Sequence, residues 1–198
     1  RASPEQLIGD GTIYASGLTS DMDLVFDAEH GMNQSLSFGS GGTLTLSLSE
    51  TSRIGIGYRG EGSLTIGEGA AVSCDDLTFG EREGSSGRAT VIGSLASNEV
   101  TVGGYGNGVM TVRDGGAVIN SQYTIVGGAE GTDGTLNISG PGSTWLNVNA
   151  DMQVGRFGRG SLVVKEGALV DSNLACGIAF GPTGSGTITV TDPGSQFM

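Results

Sequence analysis

Apolar residues recur two apart in short runs along most of the chain. In "SLTI", "VMTV" and "SLVV" the pairs Leu64/Ile66, Met110/Val112 and Leu162/Val164 fall on one face of a strand, with polar or small residues on the other. Glycine and β-branched residues interrupt every window that could sustain a helical period, so helices are not expected. Residues 1–53 carry "GTIYA", "MDLVF", "QSLSF" and "TLTLSLS", alternating runs that suit strands, with "HGMN" and "GSGG" as turns.

These runs sit inside a repeat. "IGYRGEGSLTIGEGAAV" (56–72), "VGGYGNGVMTVRDGGAV" (102–118) and "VGRFGRGSLVVKEGALV" (154–170) place glycine at the same offsets: Gly57, Gly60, Gly62 and Gly69; Gly103, Gly106, Gly108 and Gly115; Gly155, Gly158, Gly160 and Gly167. A phosphate-cradling glycine loop occurs once and opens a helix. Three copies without a helix point to architecture instead. A related phrase alternates with the first, in "VGGAEGTDGTLNISGPGSTW" (126–145) and "FGPTGSGTITVTDPGSQF" (180–197). A weaker version, "FGEREGSSGRATVIG", begins at Phe79; it lacks Pro-Gly-Ser and has Asn98 where Trp145 and Phe197 would align.

The phrases start at 56, 79, 102, 126, 154 and 180, a spacing of 23 to 28 residues that suits one turn of a solenoid. One such unit cannot bury its apolar face alone; stacked units share a core. The predicted fold is all-β, a right-handed parallel β-helix, because parallel connections are overwhelmingly right-handed. Residues 54–198 form its regular turns. Residues 1–53 are expected to add two or three less regular ones in a single continuous domain, part of a longer chain, giving a rod on the order of 40 Å long. The fixed glycines mark positions that need φ > 0 or close backbone approach, and Gly108 in particular is expected at a corner with φ > 0. Trp145 and Phe197, each seven residues after an inward strand residue, Ile138 and Val190, are expected to stack on one wall of the core.

Composition narrows the partners. Glycine makes up 38 of 198 residues, and 21 Asp and Glu face 9 Lys and Arg, for a net charge of −12. That balance argues against nucleic acid and anionic membrane surfaces, which need clustered cations. No apolar run approaches the ~18 residues of a membrane span, and the N-terminus lacks a signal-peptide layout.

Candidate chemistry is sparse. His30 is the only histidine, so triads and most zinc sites lack a necessary part; it reads as a turn residue. Cys74 and Cys176 lie four turns apart, about 19 Å, too far for a disulfide, and read as buried, inert thiols. Asp21 and Asp23 would share a strand face near Asp27, whereas the adjacent Asp75 and Asp76 would point oppositely. A catalytic carboxylate cluster on a β-helix needs a cleft, and the short turns after residue 54 show no pocket-forming insertion. No catalytic, metal or cofactor residue is therefore assigned.

The succession "VG..G.GSL.V..GA.V" and "GT..I.GPGSTW" resembles the repeat associated with type V secretion, found in bacterial autotransporter passenger domains and some exported PEP-CTERM proteins. The segment "SDMDLVFDAEHGMNQSLSFGSGGTLTLSLS" is similar to what precedes such repeats in enterobacterial autotransporters. The resemblance covers about residues 8–198, with residues 79–98 the departure. It implies a β-helical passenger, exported through the periplasm and displayed at the outer membrane by a C-terminal β-barrel outside this chain. Such passengers act mostly in adhesion, self-association and virulence, with host matrix proteins, glycans or other copies of themselves as partners. The alternative reading is a carbohydrate-active β-helix enzyme, a polysaccharide lyase or hydrolase. An adhesin without a pocket would bind through area, so single changes at Arg156, Arg159 or Glu130 should matter little.

Overall fold

The computed structural model describes residues 53–149 and 151–198 continuously and, before them, Asp21 and the strands Thr12–Ala15, Leu18–Ser20, Asp23–Phe26, Gln34–Phe38 and Gly42–Leu46. His30 and Asp27 lie outside the described residues. The fold is a parallel β-solenoid of about six turns without a helix among the described residues. One sheet stacks Asp23–Phe26, Glu61–Ile66, Ser86–Val91, Asn107–Val112, Asp133–Ser139, Arg159–Lys165 and Ser185–Val190, all parallel. The second sheet starts with Leu18–Ser20 and Arg53–Ile56 and continues through the long strands Ala71–Phe79, Ser94–Val102 and Ala117–Val126. These bend midway, and in later turns the two arms separate, as Thr144–Asn147 with Asp151–Val154 and Leu169–Ser172 with Cys176–Ile178.

Among the described residues before Arg53, Leu18–Ser20 and Asp23–Phe26 add one turn to these sheets. Thr12–Ala15, Gln34–Phe38 and Gly42–Leu46 form a separate three-stranded sheet in which Gln34–Phe38 and Gly42–Leu46 pair antiparallel. The seven-stranded sheet measures roughly 30 Å across its strands at the usual inter-strand spacing.

The core is a set of columns running along the rod. Leu64, Ala89, Met110, Leu136 and Leu162 form one, and Ile66, Val91, Val112, Ile138 and Val164 the next. All are buried, as the alternation requires. On the facing wall Val72, Leu95, Val118, Trp145, Val170 and Phe197 lie in register. Trp145 and Phe197 thus share a wall, two turns apart, with Trp145 fully buried and Phe197 packed against the core from the last turn. Val190 belongs to the same inward set but is 45% exposed, because Ser185–Val190 is the edge strand of its sheet. Leu95, not Asn98, aligns with Trp145: only residues 92–93 connect Ser86–Val91 to Ser94–Val102, against 140–143 before Trp145, so the aromatic's column is reached sooner. Asn98 falls at the irregularity between Ser97 and Glu99.

Glycine serves two purposes at one corner. Gly57, Gly80, Gly103, Gly127 and Gly155 follow the second-sheet strands with φ between 68° and 78°, and each turns the chain out of its strand. The sixth turn has Ala179 at this place, with φ 54° and the same amide bond to the preceding turn, Ala179 N to Val154 O at 3.0 Å, that Gly155 makes to Val126 O at 2.7 Å. The second set is Gly62, Gly87, Gly108, Gly134, Gly160 and Gly186, one column at the start of the facing sheet. Gly108 lies within the strand Asn107–Val112 and is not left-handed, contrary to the expectation of φ > 0. Its requirement is space: a Cβ there would stand 2.3 Å from Gly103 N and 2.9 Å from Val102 C. Gly60, Gly106 and Gly158 lie in the intervening loops, also outside the positive-φ set.

Candidate functional site

The corner after the second sheet alternates in length. Loops 57–60, 103–106 and 155–158 have four residues, whereas 80–85, 127–132 and 179–184 have six. The two phrases of the repeat are thus two loop lengths. Loops 80–85 and 127–132 bracket Tyr105 in a notch of about 970 Å³ that reaches Arg59 and Asn107. A neighbouring groove of about 830 Å³ runs over the sheet's outer face, past Thr78, Thr101 and Ile125, to Arg156, Phe157 and Thr183. The expectation of a surface without pockets fails here because two extra residues in alternate turns are enough to wall one.

The six-residue loops are held by their own side chains. Ser85 Oγ donates to Arg82 O at 2.6 Å and accepts from Arg82 N at 3.1 Å; Thr132 Oγ1 donates to Ala129 O at 2.7 Å and accepts from Ala129 N at 3.3 Å. Thr183 Oγ1 donates to Phe157 O at 2.7 Å. Loop 57–60 is tied differently: Asp21 Oδ1 accepts backbone N–H bonds from Tyr58 at 2.6 Å and from Arg59 and Gly60 at 3.0 Å. Asp21 is therefore a carboxylate cap across turns, a role no local spacing announces. Asp23 lies in its strand, with a side chain outside the described residues.

Arginine collects on this corner. Arg82 and Arg59 lie over the Tyr58 ring at 5.3 and 5.7 Å, and Arg156 over Phe157 at 5.5 Å. Arg53 pairs with Glu81 at 3.1 Å, and Arg159 is bidentate to Asp133 at 2.5 and 2.8 Å. The groove lining balances Arg53, Arg82 and Arg156 against Glu81, Glu99 and Glu130. Tyr105 is 70% and Phe157 37% exposed, so both offer ring surface to solvent.

Asp75 and Asp76 do not point oppositely. Cys74 and Leu77 both face inward, so the bend between them puts both carboxylates on the outer side, where Asp75 accepts from Asn98 Nδ2 at 2.6 Å. Among the described residues, no group of three His, Cys, Asp or Glu is placed to hold a metal ion.

Cys74 is buried in the core as expected, whereas Cys176 is only half-buried, packed against the core in the last turn. Cys74 begins a buried polar column continued by Ser97, Asn120, Asn147 and Ser172, while Cys176 lies four turns on in the column of Leu77, Val100, Thr124 and Met152. Both are free. Asn147 Oδ1 accepts from Trp145 Nε1 and Thr124 Oγ1, each at 2.9 Å, so the polar column anchors the largest core side chain. Burial pushes the Cys74 thiol from an ordinary 9.0 up to about 11. The unfolded thiol ionises first, so this group's contribution is intact below pH 9 and is lost as the pH climbs to about 11. Replacing Cys74 by Ser should remove a loss on the order of 2 kcal/mol over that window, read as a flatter dependence of unfolding midpoint on pH. An unchanged slope would place the titration elsewhere.

No helix among the described residues is long and apolar enough to cross a membrane. No protein-family model matches the chain, and no solved structure matches it. Among curated proteins the chain is similar to the uncharacterized lipoprotein YdeK of Escherichia coli (strain K12), 29% identical over 191 residues. The match covers 89% of this chain and 14% of that lipoprotein, so the chain spans a small part of its relative's length.

Proposed function

We propose that the chain is a segment of an exported, cell-surface β-solenoid that acts in adhesion or cell–cell self-association without catalysis. The observation that carries this reading is the ordered corner, where short, internally bonded loops present Tyr105, Phe157 and several arginines along a rod. Such a surface offers area and repetition, the resources of multivalent binding. The repeat's resemblance to autotransporter passengers and the similarity to a lipoprotein both support display at a membrane facing outward. In a passenger the anchor would be a C-terminal β-barrel; in a lipoprotein, a lipid.

Display of the full-length protein on cells, followed by clumping assays and binding to matrix proteins and glycans, tests the proposal. Deleting 103–126, which puts Val102 in the place of its register partner Val126 directly before Gly127, should reduce adhesion several-fold, while Arg159→Ala should change it little. Displayed protein that neither clumps cells nor binds either surface would overturn it. The groove also favours a second reading, since Glu81, Glu99 and Glu130 line it as the acids of a carbohydrate-active enzyme would. Release of new sugar ends from a polysaccharide would establish that reading.

A further inference from the structure

We infer that the corner groove binds an extended, uncharged, β-1,4-linked polysaccharide, with Tyr105 and Phe157 as stacking platforms. The inference rests on the adhesive reading and gives it a ligand class. Its first support is periodic. Tyr105 and Phe157 occupy equivalent places in four-residue loops, following Val102 and Val154, which lie two turns apart in register through Val126. Two turns amount to about 10 Å. A β-1,4-linked pyranose chain in its extended two-fold form presents the same ring face at every second sugar, at nearly this interval. An extended peptide repeats every two residues, about 6.7 Å, and would fall out of step.

The second support is chemical. The lining offers donor-only groups, Arg53, Arg82 and Arg156, and acceptor-only groups, Glu81, Glu99 and Glu130, in equal number. A hydroxyl both donates and accepts, so a polyol can serve both kinds, whereas a polyanion would be repelled by half of them and a polycation by the other half. The floor adds the hydroxyls of Thr78 and Thr101, one turn apart. Aromatic rings supply flat apolar faces for the C–H faces of the sugars; Ser85 and Thr132 close the loops on either side of Tyr105, while at Phe157 the face that Arg156 covers is taken and only the other ring surface is open to a sugar.

Titrating the purified 198-residue chain with cellohexaose and chitohexaose, beside laminarihexaose and polygalacturonate, tests the inference. One or both β-1,4-linked hexasaccharides should bind, with an affinity little changed by salt. Tyr105→Ala and Phe157→Ala should each weaken binding about tenfold; Tyr105, 70% exposed, should do so with the melting temperature in place, whereas Phe157, which packs against Gly181, should also lower it slightly. Failure of both β-1,4-linked hexasaccharides to bind, preference for polygalacturonate with steep salt dependence, or indifference to both substitutions would each overturn it. Binding by the purified chain without adhesion by cells displaying it would remove the adhesive reading and leave the groove. Adhesion that survives without glycan binding would do the reverse.

Discussion

Gly108→Val is expected to destabilise the solenoid by on the order of 3 kcal/mol or more, and Gly108→Ala by nearly as much. The added Cβ stands 2.3 Å from a backbone nitrogen, and the atoms it meets belong to Val102 and Gly103, main chain that cannot rotate away. The column through Gly87, Gly134, Gly160 and Gly186 shares the geometry, so no neighbouring turn offers slack. Gly115 gives the contrast. Its φ is 85°, but nothing lies within 4 Å of a Cβ there, so Gly115→Ala should cost only the left-handed penalty of about 1 kcal/mol. Chemical denaturation of the two alanine variants settles the cause: if backbone conformation governed this corner, Gly115→Ala would be the more damaging.

Trp145→Ala should cost about 3–5 kcal/mol. The ring is fully buried between Val118 and Val170 in neighbouring turns, and its indole N–H is satisfied by Asn147 Oδ1. Truncation leaves a cavity in a wall of otherwise smaller side chains. It also leaves Asn147, itself buried, with one partner fewer. Trp145→Phe keeps most of the volume and drops only the hydrogen bond, so it should recover most of the loss. Hydrogen exchange should show the damage centred on 118–170 and fading toward 53–66. Uniform loss along the chain would mean that the turns unfold as one unit.

The solenoid was legible because its determinants are local and recur. Pairs such as Met110/Val112 announce the inward face, and repeated glycines announce the length of a turn. What escaped depends on relations between turns or on breaks in the alternation. Gly108 and Gly103 look alike in the repeat, yet one turns the chain and the other makes room for it. Asp21 caps a loop 37 residues away. Asp75 and Asp76 defy the period of two because the strand bends between inward Cys74 and Leu77. The groove was hidden for the same reason: two phrases differing by two loop residues read as one imperfect repeat, and their alternation becomes a wall only when the turns are stacked.

Ala179 sets a limit on growth. At Gly57, Gly80, Gly103, Gly127 and Gly155 a Cβ would come within 2.1 to 2.7 Å of a carbonyl oxygen in the next turn, so glycine is what lets that turn settle in register. Ala179 already carries this atom, in the same left-handed conformation. A further turn laid in the same register, from this chain or from another copy, would meet the methyl. Extension of the rod at this end therefore demands a new path at this corner, by a shifted register or a wider loop, and a single carbon atom imposes it.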